Sequence, residues 1–158
     1  MSISSVLAAS CRGFDPHSAM LAGLLQEIGA LPLLNRLEKQ PELKLDMEEL
    51  RAAVAELTPQ IGAVLLEQWG FDERFVEVAR RRDAWDHDPE APVDLADLVM
   101  IARLHSYIGT RWMHRLPRID QVTAYAKLPV GELSPKMSLT MLDEASKDIE
   151  EVQQLLAS

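Results

Sequence analysis

The chain has 158 residues, of which 47% are apolar and 26% are charged, and its formal net charge is −9. This length and composition suffice for a folded domain with a hydrophobic core and exclude a disordered chain. The negative charge disfavours nucleic acid and anionic membranes as partners. The single cysteine, Cys11, excludes an internal disulfide, and neither a signal peptide nor an apolar run of roughly 18 residues is present. We therefore expect a cytoplasmic protein.

The first third of the chain predicts four helices. Asp15 and Pro16 supply an N-cap and a first-turn proline, and Asp46 with Glu49 has the spacing of a capping box. Glycine and proline residues separate these segments. The predicted helices cover residues 3–11, residue 15 to a break at Gly29, 31–38 and 46–57.

The rest of the chain repeats the same start and stop signals. Thr58 and Pro59 predict a new helix start, Gly70 predicts a stop, and Asp72 and Asp94 are N-cap residues. The predicted helices are 59–69, 73–84, 95–114 and 139–156, with a polar loop at 83–92 and an irregular segment around Pro117, Pro129 and Pro135. No stretch alternates as a half-buried strand would, so we predict an all-α fold in a single compact domain over residues 1–158.

We expect the chain to be organised around the apolar stretch at residues 19–29. Gly23 lies inside this predicted helix and suggests close packing against its backbone, while Gly29 would end the helix in a left-handed conformation. Gln26 and Glu27 form a polar pair within the stretch. Four apolar residues have the spacing of one buried face: Leu21, Leu24, Leu25 and Ile28.

Five stretches together form a recognisable pattern: residues 13–16 (GFDP), 22–29 (AGLLQEIG), 61–71 (IGAVLLEQWGF), 116–119 and 130–134. This pattern resembles the HDOD (HD-related output domain) family, a degenerate branch of the HD superfamily of metal-dependent phosphohydrolases. The resemblance covers most of residues 13 to 156 and implies an HD-like helical bundle. Such proteins usually carry further helices before the first stretch, so we expect that this chain lacks them and that an exposed apolar face could form a homodimer.

The departures from the family pattern fall on the positions of the metal ligands. Gln26 and Glu27 stand where many members have His-Asp or His-Asn, Thr58 stands at a usual His position, and Arg82 and Asp83 stand where a His pair is expected. An arginine has no lone pair to offer a metal. We therefore predict no catalytic residues, no metal ligands and no cofactor. The five positions are candidates for a vestigial pocket or a partner-binding surface.

The resemblance implies a bacterial signal-transduction domain, a regulatory pseudoenzyme that works through contacts with other signalling proteins or with a second copy of itself. Two alternatives stay open. One is a divergent metal-dependent phosphohydrolase that acts on a nucleotide through Glu27, Asp83 and Asp97. The other is a small-ligand sensor for a nucleotide, with Gln26, Thr58 and Arg82 as polar contacts in the vestigial pocket.

For the remaining side chains that could take part in chemistry, structural roles are favoured. His105 and His114 are predicted on one helix near a shared face, where a core or interface role is favoured over a metal site. Cys11 is expected to be a buried thiol and Trp69 a core residue, while Trp85 borders the loop and could contact a partner. The three arginines at 80–82 are expected to offset a helix dipole, with phosphate binding as the alternative.

Overall fold

The computed structural model describes residues 2–40, 46–111 and 113–128. This part of the chain contains α-helices, two short 3₁₀ helices and no strand, which confirms the all-α prediction. The predicted helix 139–156 and the stretch 130–134 lie outside the described residues. The helices are α1 Ile3–Ser10, α2 Pro16–Leu25, α3 Ala30–Glu38, α4 Met47–Gln68, α5 Glu73–Arg80, α6 Leu95–Ser106 and α7 Thr123–Lys127, and the 3₁₀ helices are Met113–Arg115 and Ile119–Gln121.

The chain divides into two compact units, which we name by their sequence ranges. The split-sequence unit comprises Met1–Gly23 and Trp85–Ser158, and the central unit comprises Leu24–Ala84. The expectation of a single domain over the whole chain stays a prediction. No helix among the described residues is both long and apolar enough to cross a membrane.

Helix α6 forms the core of the split-sequence unit. Its residues from Leu95 to His105 are all buried, and α1 and α7 pack against it. A reciprocal capping box starts the helix, in which the amide of Asp97 donates to Asp94 (3.0 Å) and the amide of Asp94 donates to Asp97 (3.2 Å). The buried carboxylate of Asp97 also accepts a hydrogen bond from Lys127 (3.5 Å). Asp97 therefore fixes the start of α6 and connects it to α7.

Helix α6 is shorter than predicted. It ends at Ser106, and Gly109 then adopts φ +79°, a left-handed conformation that suits glycine. His114 lies beyond this turn in a 3₁₀ helix. The prediction that His105 and His114 share one helix is therefore wrong.

Helix α4 dominates the central unit, where α3 and α5 pack against it. It runs without a break through Pro59, so the predicted helix start at Thr58 is wrong. Proline removes one backbone donor, but the hydroxyl of Thr58 donates to the carbonyl of Val54 (2.6 Å) and supplies a hydrogen bond on the same turn. Helix α5 in turn ends at Arg80 instead of continuing to residue 84.

Gly23 and Gly29 both allow another segment to approach their backbone closely, but Gly29 does not have the predicted conformation. Gly29 has φ −65°, so the predicted left-handed conformation is wrong. A Cβ there would overlap the carbonyl oxygen of Thr58 and lie 2.5 Å from the amide nitrogen of Gly62. A Cβ on Gly23 would lie 2.5 Å from the hydroxyl of Ser4, which confirms the predicted close packing. The chain thus requires glycine at residue 29 for packing against α4 and not for a turn.

The buried face of α2 differs from the predicted one. Small residues occupy it, with Ala19 and Ala22 fully buried beside Leu25, whereas Leu21 and Leu24 are exposed. Helical spacing alone predicts the wrong leucines here, because small side chains allow the closest helix packing. Trp69 is also exposed, so its predicted core role is wrong, while Cys11 is buried as expected and burial raises the pKa of its thiol.

Candidate functional site

The five predicted site residues all belong to the central unit, on three segments. Gln26 and Glu27 lie in the turn between α2 and α3, Thr58 lies in α4, and Arg82 and Asp83 lie in the turn after α5. The acidic residues and Arg82 form a bonded group, which we call the Arg82 cluster: Glu27, Arg82 and Asp83. Gln26 precedes this cluster in the chain and is half-buried.

Arg82 and Glu27 form a two-point ion pair across 55 positions of sequence. The Nε of Arg82 donates to Oε1 of Glu27 (2.9 Å), and Nη2 lies 2.8 Å from Oε2. This geometry matches the fixed fork of donors on a guanidinium to the two oxygens of one carboxylate. The Arg82 side chain is only 11% exposed, so the pair is shielded from water on the arginine side. The pair joins the turn before α3 to the turn after α5.

Asp83 completes the cluster from the neighbouring position. Its Oδ2 accepts a hydrogen bond from Nη1 of Arg82. Burial acts to lower the pKa of Arg82, but the hydrogen bonds and charges of Glu27 and Asp83 outweigh it and raise that pKa above the ordinary value. The guanidinium is therefore a permanent cation at any physiological pH.

Thr58 has a structural role in α4. The residue is fully buried, its hydroxyl bonds within its own helix, and its carbonyl oxygen faces Gly29. A hydroxyl that already donates to a helix carbonyl is poorly placed to act on a substrate. Thr58 thus contributes to the packing of the turn that carries Gln26 and Glu27.

The residues of the Arg82 cluster do not fit a metal ion. A divalent cation needs several oxygen, nitrogen or sulfur donors with lone pairs directed at one point. Both carboxylate oxygens of Glu27 and one of Asp83 already bond to a guanidinium, which would repel a second cation at that place. Within the described ranges, no group of three or more His, Cys, Asp or Glu side chains could hold a metal.

The neighbouring arginine Arg80 serves to join helices. It forms ion pairs with Glu73 and Glu77 on its own helix and with Glu67 on α4. The hydrogen bonds that Arg80 donates to Glu73 and then to Glu77 raise the pKa of Arg80. Sequence reasoning offered a helix dipole or phosphate as the partners of these arginines and missed the carboxylates. The spacing of Glu73, Glu77 and Arg80 at helical intervals was the available signal.

The split-sequence unit contains a cavity of about 600 Å³ that sequence analysis did not predict. It lies where α6 ends, and none of the five predicted site residues lines it. His105 and His114, which the sequence singled out as a pair, both do. Trp85, the proposed partner contact, is half-buried, and the guanidinium of Arg103 lies 5.3 Å from the centre of its ring.

The helical fold is that of an HD-like domain. The HDOD domain family matches residues 2–85, more than half of the chain. The chain therefore belongs to the HDOD family.

Comparison with solved structures supports the same fold. The chain is similar to a protein from Shewanella amazonensis SB2B that is named, provisionally, a metal-dependent phosphohydrolase, with 25% sequence identity and a TM-score of 0.62. The match covers 87% of this chain and 55% of that protein, so the chain spans little more than half of its length. None of the curated proteins compared with the chain matches it.

Proposed function

We propose that this chain is a non-catalytic signal-transduction domain of HDOD type that works through protein–protein contacts. Membership in the HDOD family supports an origin in the HD superfamily, and the residues at the ligand positions support a change of role. As part of the same proposal, the domain acts in the bacterial cytoplasm and requires no cofactor, nucleic acid or membrane.

The observation that carries the proposal is the position of the Arg82 side chain. A guanidinium bonded to two carboxylates supplies one positive charge in a fixed place. It can neither polarise a phosphoryl oxygen as a Lewis acid nor lower the pKa of a bound water to generate hydroxide, which are the tasks of a metal in hydrolysis. The cluster is therefore suited to hold the turns together.

Exposed apolar side chains of the central unit indicate how the domain could act instead. Helix α3 has no buried residue although four of its nine residues are leucine. Exposed leucines along one short helix are typical of surfaces that bind other proteins. The partner would be another signalling protein or a second copy of the chain. The most exposed members are Leu24, Leu31, Met47 and Trp69, followed by Val64 and Leu34.

The main rival is a phosphohydrolase, which the name of the Shewanella protein favours. We would separate the two with bis(p-nitrophenyl) phosphate as substrate and Mg²⁺ or Mn²⁺ added in turn. The proposal predicts no hydrolysis above the rate of buffer. Hydrolysis that depends on the metal and is lost in Glu27→Gln, with the melting temperature preserved, would favour the enzyme.

A second test concerns the contact surface. We expect the chain to self-associate and Leu34→Asp to weaken that association, because the charge would be desolvated in an interface. Sedimentation velocity over a range of concentrations measures this. Met113→Asp is the matched control, since Met113 is 44% exposed and Leu34 is 46% exposed, but Met113 belongs to the split-sequence unit. Equal weakening by both variants would argue against this surface.

A further inference from the structure

The cavity in the split-sequence unit has the size of a small-molecule site. Its volume of about 600 Å³ lies within the range of pockets that enclose metabolite-sized ligands. It opens where α6 ends early at the Gly109 turn, and the chain then returns through the two 3₁₀ helices to form the opposite wall. Two tyrosines, Tyr107 and Tyr125, come from opposite ends of this segment.

Most of the wall is apolar. Side chains of leucine, isoleucine, methionine and proline surround the space, among them Leu104, Ile108, Leu116 and Ile119. Such walls favour ligands with little exposed polarity, because a polar group loses its hydration there without replacement. The tyrosines add flat faces on which a planar ring can stack, together with hydroxyls that can bond to its edge.

The charges in the wall cancel each other. The guanidinium of Arg118 donates two hydrogen bonds to the carboxylate of Asp120, from Nε to Oδ1 (3.1 Å) and from Nη2 to Oδ2 (2.8 Å). An anionic ligand such as a nucleotide would have to compete with Asp120 for this arginine. The compensated pair therefore favours an uncharged ligand over a phosphate or a carboxylate.

His105 supplies the deepest polar group of the wall. It is 2% exposed, and burial lowers the pKa of its imidazole, so the ring is neutral at pH 7. A neutral imidazole has one donor and one acceptor nitrogen and can bond a carbonyl or a ring nitrogen of a ligand. This polar group, surrounded by apolar walls, would orient a ligand by one hydrogen bond.

We propose that this cavity binds an uncharged planar heteroaromatic compound, which stacks against Tyr107 or Tyr125 and hydrogen-bonds to His105. The site is independent of the Arg82 cluster and of the proposed protein contacts, because none of the residues of that cluster lines it. The domain would then have a ligand-binding site separate from the degenerate HD site.

The test uses acridone, an uncharged fluorescent heteroaromatic, and acridone-4-carboxylate, which has the same rings and one negative charge. Fluorescence titration of the full chain should show saturable binding of one acridone per chain, at least tenfold tighter than the carboxylate. Leu116→Trp fills the cavity and should weaken acridone binding at least tenfold, while His105→Phe should weaken it several-fold. Glu56→Trp adds an indole on the exposed surface of the central unit, outside the proposed protein contacts, and should leave binding unchanged.

Circular dichroism melting would verify that each variant folds, and Ile119→Trp replaces Leu116→Trp if the latter does not. Absence of saturable binding by the wild type would overturn the proposal. So would equal affinity for the carboxylate, or affinity that is unchanged in a folded cavity-filling variant. Loss of binding in Glu56→Trp would likewise contradict it, because the compound would then bind to the central unit.

Discussion

The Arg82 cluster and the cavity at the end of α6 each contain a largely buried polar side chain, but its surroundings differ. Arg82 is paired with two carboxylates, whereas His105 lines an open cavity with mostly apolar walls. In the cluster, two carboxylates and one guanidinium satisfy each other. In the cavity, apolar walls surround open space and the one ionic pair, Arg118 with Asp120, lies on its rim in exposed positions. Charged side chains that pair with one another thus fill the space between two turns, whereas apolar walls beside an irregular segment leave a space open.

The difference follows from local sequence. Glu27, Arg82 and Asp83 are charged residues brought together by two turns, so the space between those turns is filled by a large cation. The cavity arises because Gly109 ends α6 in a left-handed turn, and the segment that follows is irregular and cannot pack as closely as a helix. Each region can be tested by changing the feature that defines it.

The largest effect is expected from Gly29→Ala. The added Cβ would overlap the carbonyl oxygen of Thr58 and lie 2.5 Å from the nitrogen of Gly62, both backbone atoms of α4. Because these atoms cannot turn aside, we expect a loss of about 3 kcal/mol or more in the free energy of unfolding. Urea denaturation of the pure variant measures it.

Gly62→Ala is the matched control for this substitution. Its Cβ would meet the Cβ of Ala79 at 3.3 Å, a contact that a small movement relieves, and alanine is the better helix former. We expect a change below about 1 kcal/mol. A loss as large as that of Gly29→Ala would contradict this ranking of the two positions.

A smaller effect is expected from Arg82→Ala, which leaves Glu27 and Asp83 with like charges and no shared cation. The two carboxylates keep partial access to water, so we expect a loss of about 1–2 kcal/mol in the free energy of unfolding. Mn²⁺ should raise the melting temperature of the variant but not that of the wild type, since the carboxylates then become available as ligands.

Two controls sharpen this result. The exposed Arg74 forms an ion pair with Asp72 (3.6 Å) and lies 5.1 Å from the centre of the Phe75 ring, and Arg74→Ala should change stability by less than about 1 kcal/mol. Adding Glu27→Gln to Arg82→Ala should abolish the gain from Mn²⁺. Stabilisation of the wild type by Mn²⁺ would mean that the guanidinium does not exclude the metal.

The smallest effect concerns His105 and the pH. Burial lowers the pKa of its imidazole below the ordinary value of 6.5, so the unfolded chain takes up this proton first as the pH falls. The stability that the neutral ring contributes is therefore full above about pH 6.5 and is lost at lower pH. Urea denaturation at pH 7.5 and 5.5 should show a larger loss for the wild type than for His105→Gln. Equal losses would indicate that the buried ring does not determine how the free energy of unfolding changes with pH.

Sequence reasoning predicted the helix starts at Asp-capped positions correctly because their causes are local, although the local signal at Thr58 was wrong. Asp46, Asp72 and Asp94 each accept the expected hydrogen bonds from amides of the first turn. Predictions failed where a contact distant in sequence decided the outcome. Gly29 is required by the backbone of α4, and Leu21 and Leu24 of α2 are exposed while Ala19, Ala22 and Leu25 form the buried face.

The candidate site could be predicted only in part. The resemblance to the HDOD family identified Glu27, Arg82 and Asp83 as positions of interest, and the family match confirmed that resemblance. The ion pair between Arg82 and Glu27 joins two turns that are 55 residues apart in sequence. Rules based on residue spacing cannot predict a contact over that distance. The cavity escaped prediction because the sequence pattern continued α6 to residue 114, which would have left no turn to enclose it.

The proposed function requires that the Arg82 cluster holds no metal ion. Elemental analysis of the untagged protein, purified without chelator, tests this requirement. We expect transition metal far below one ion per chain. About one ion per chain, retained through dialysis and lost in a folded Glu27→Gln variant, would contradict it and would favour the phosphohydrolase.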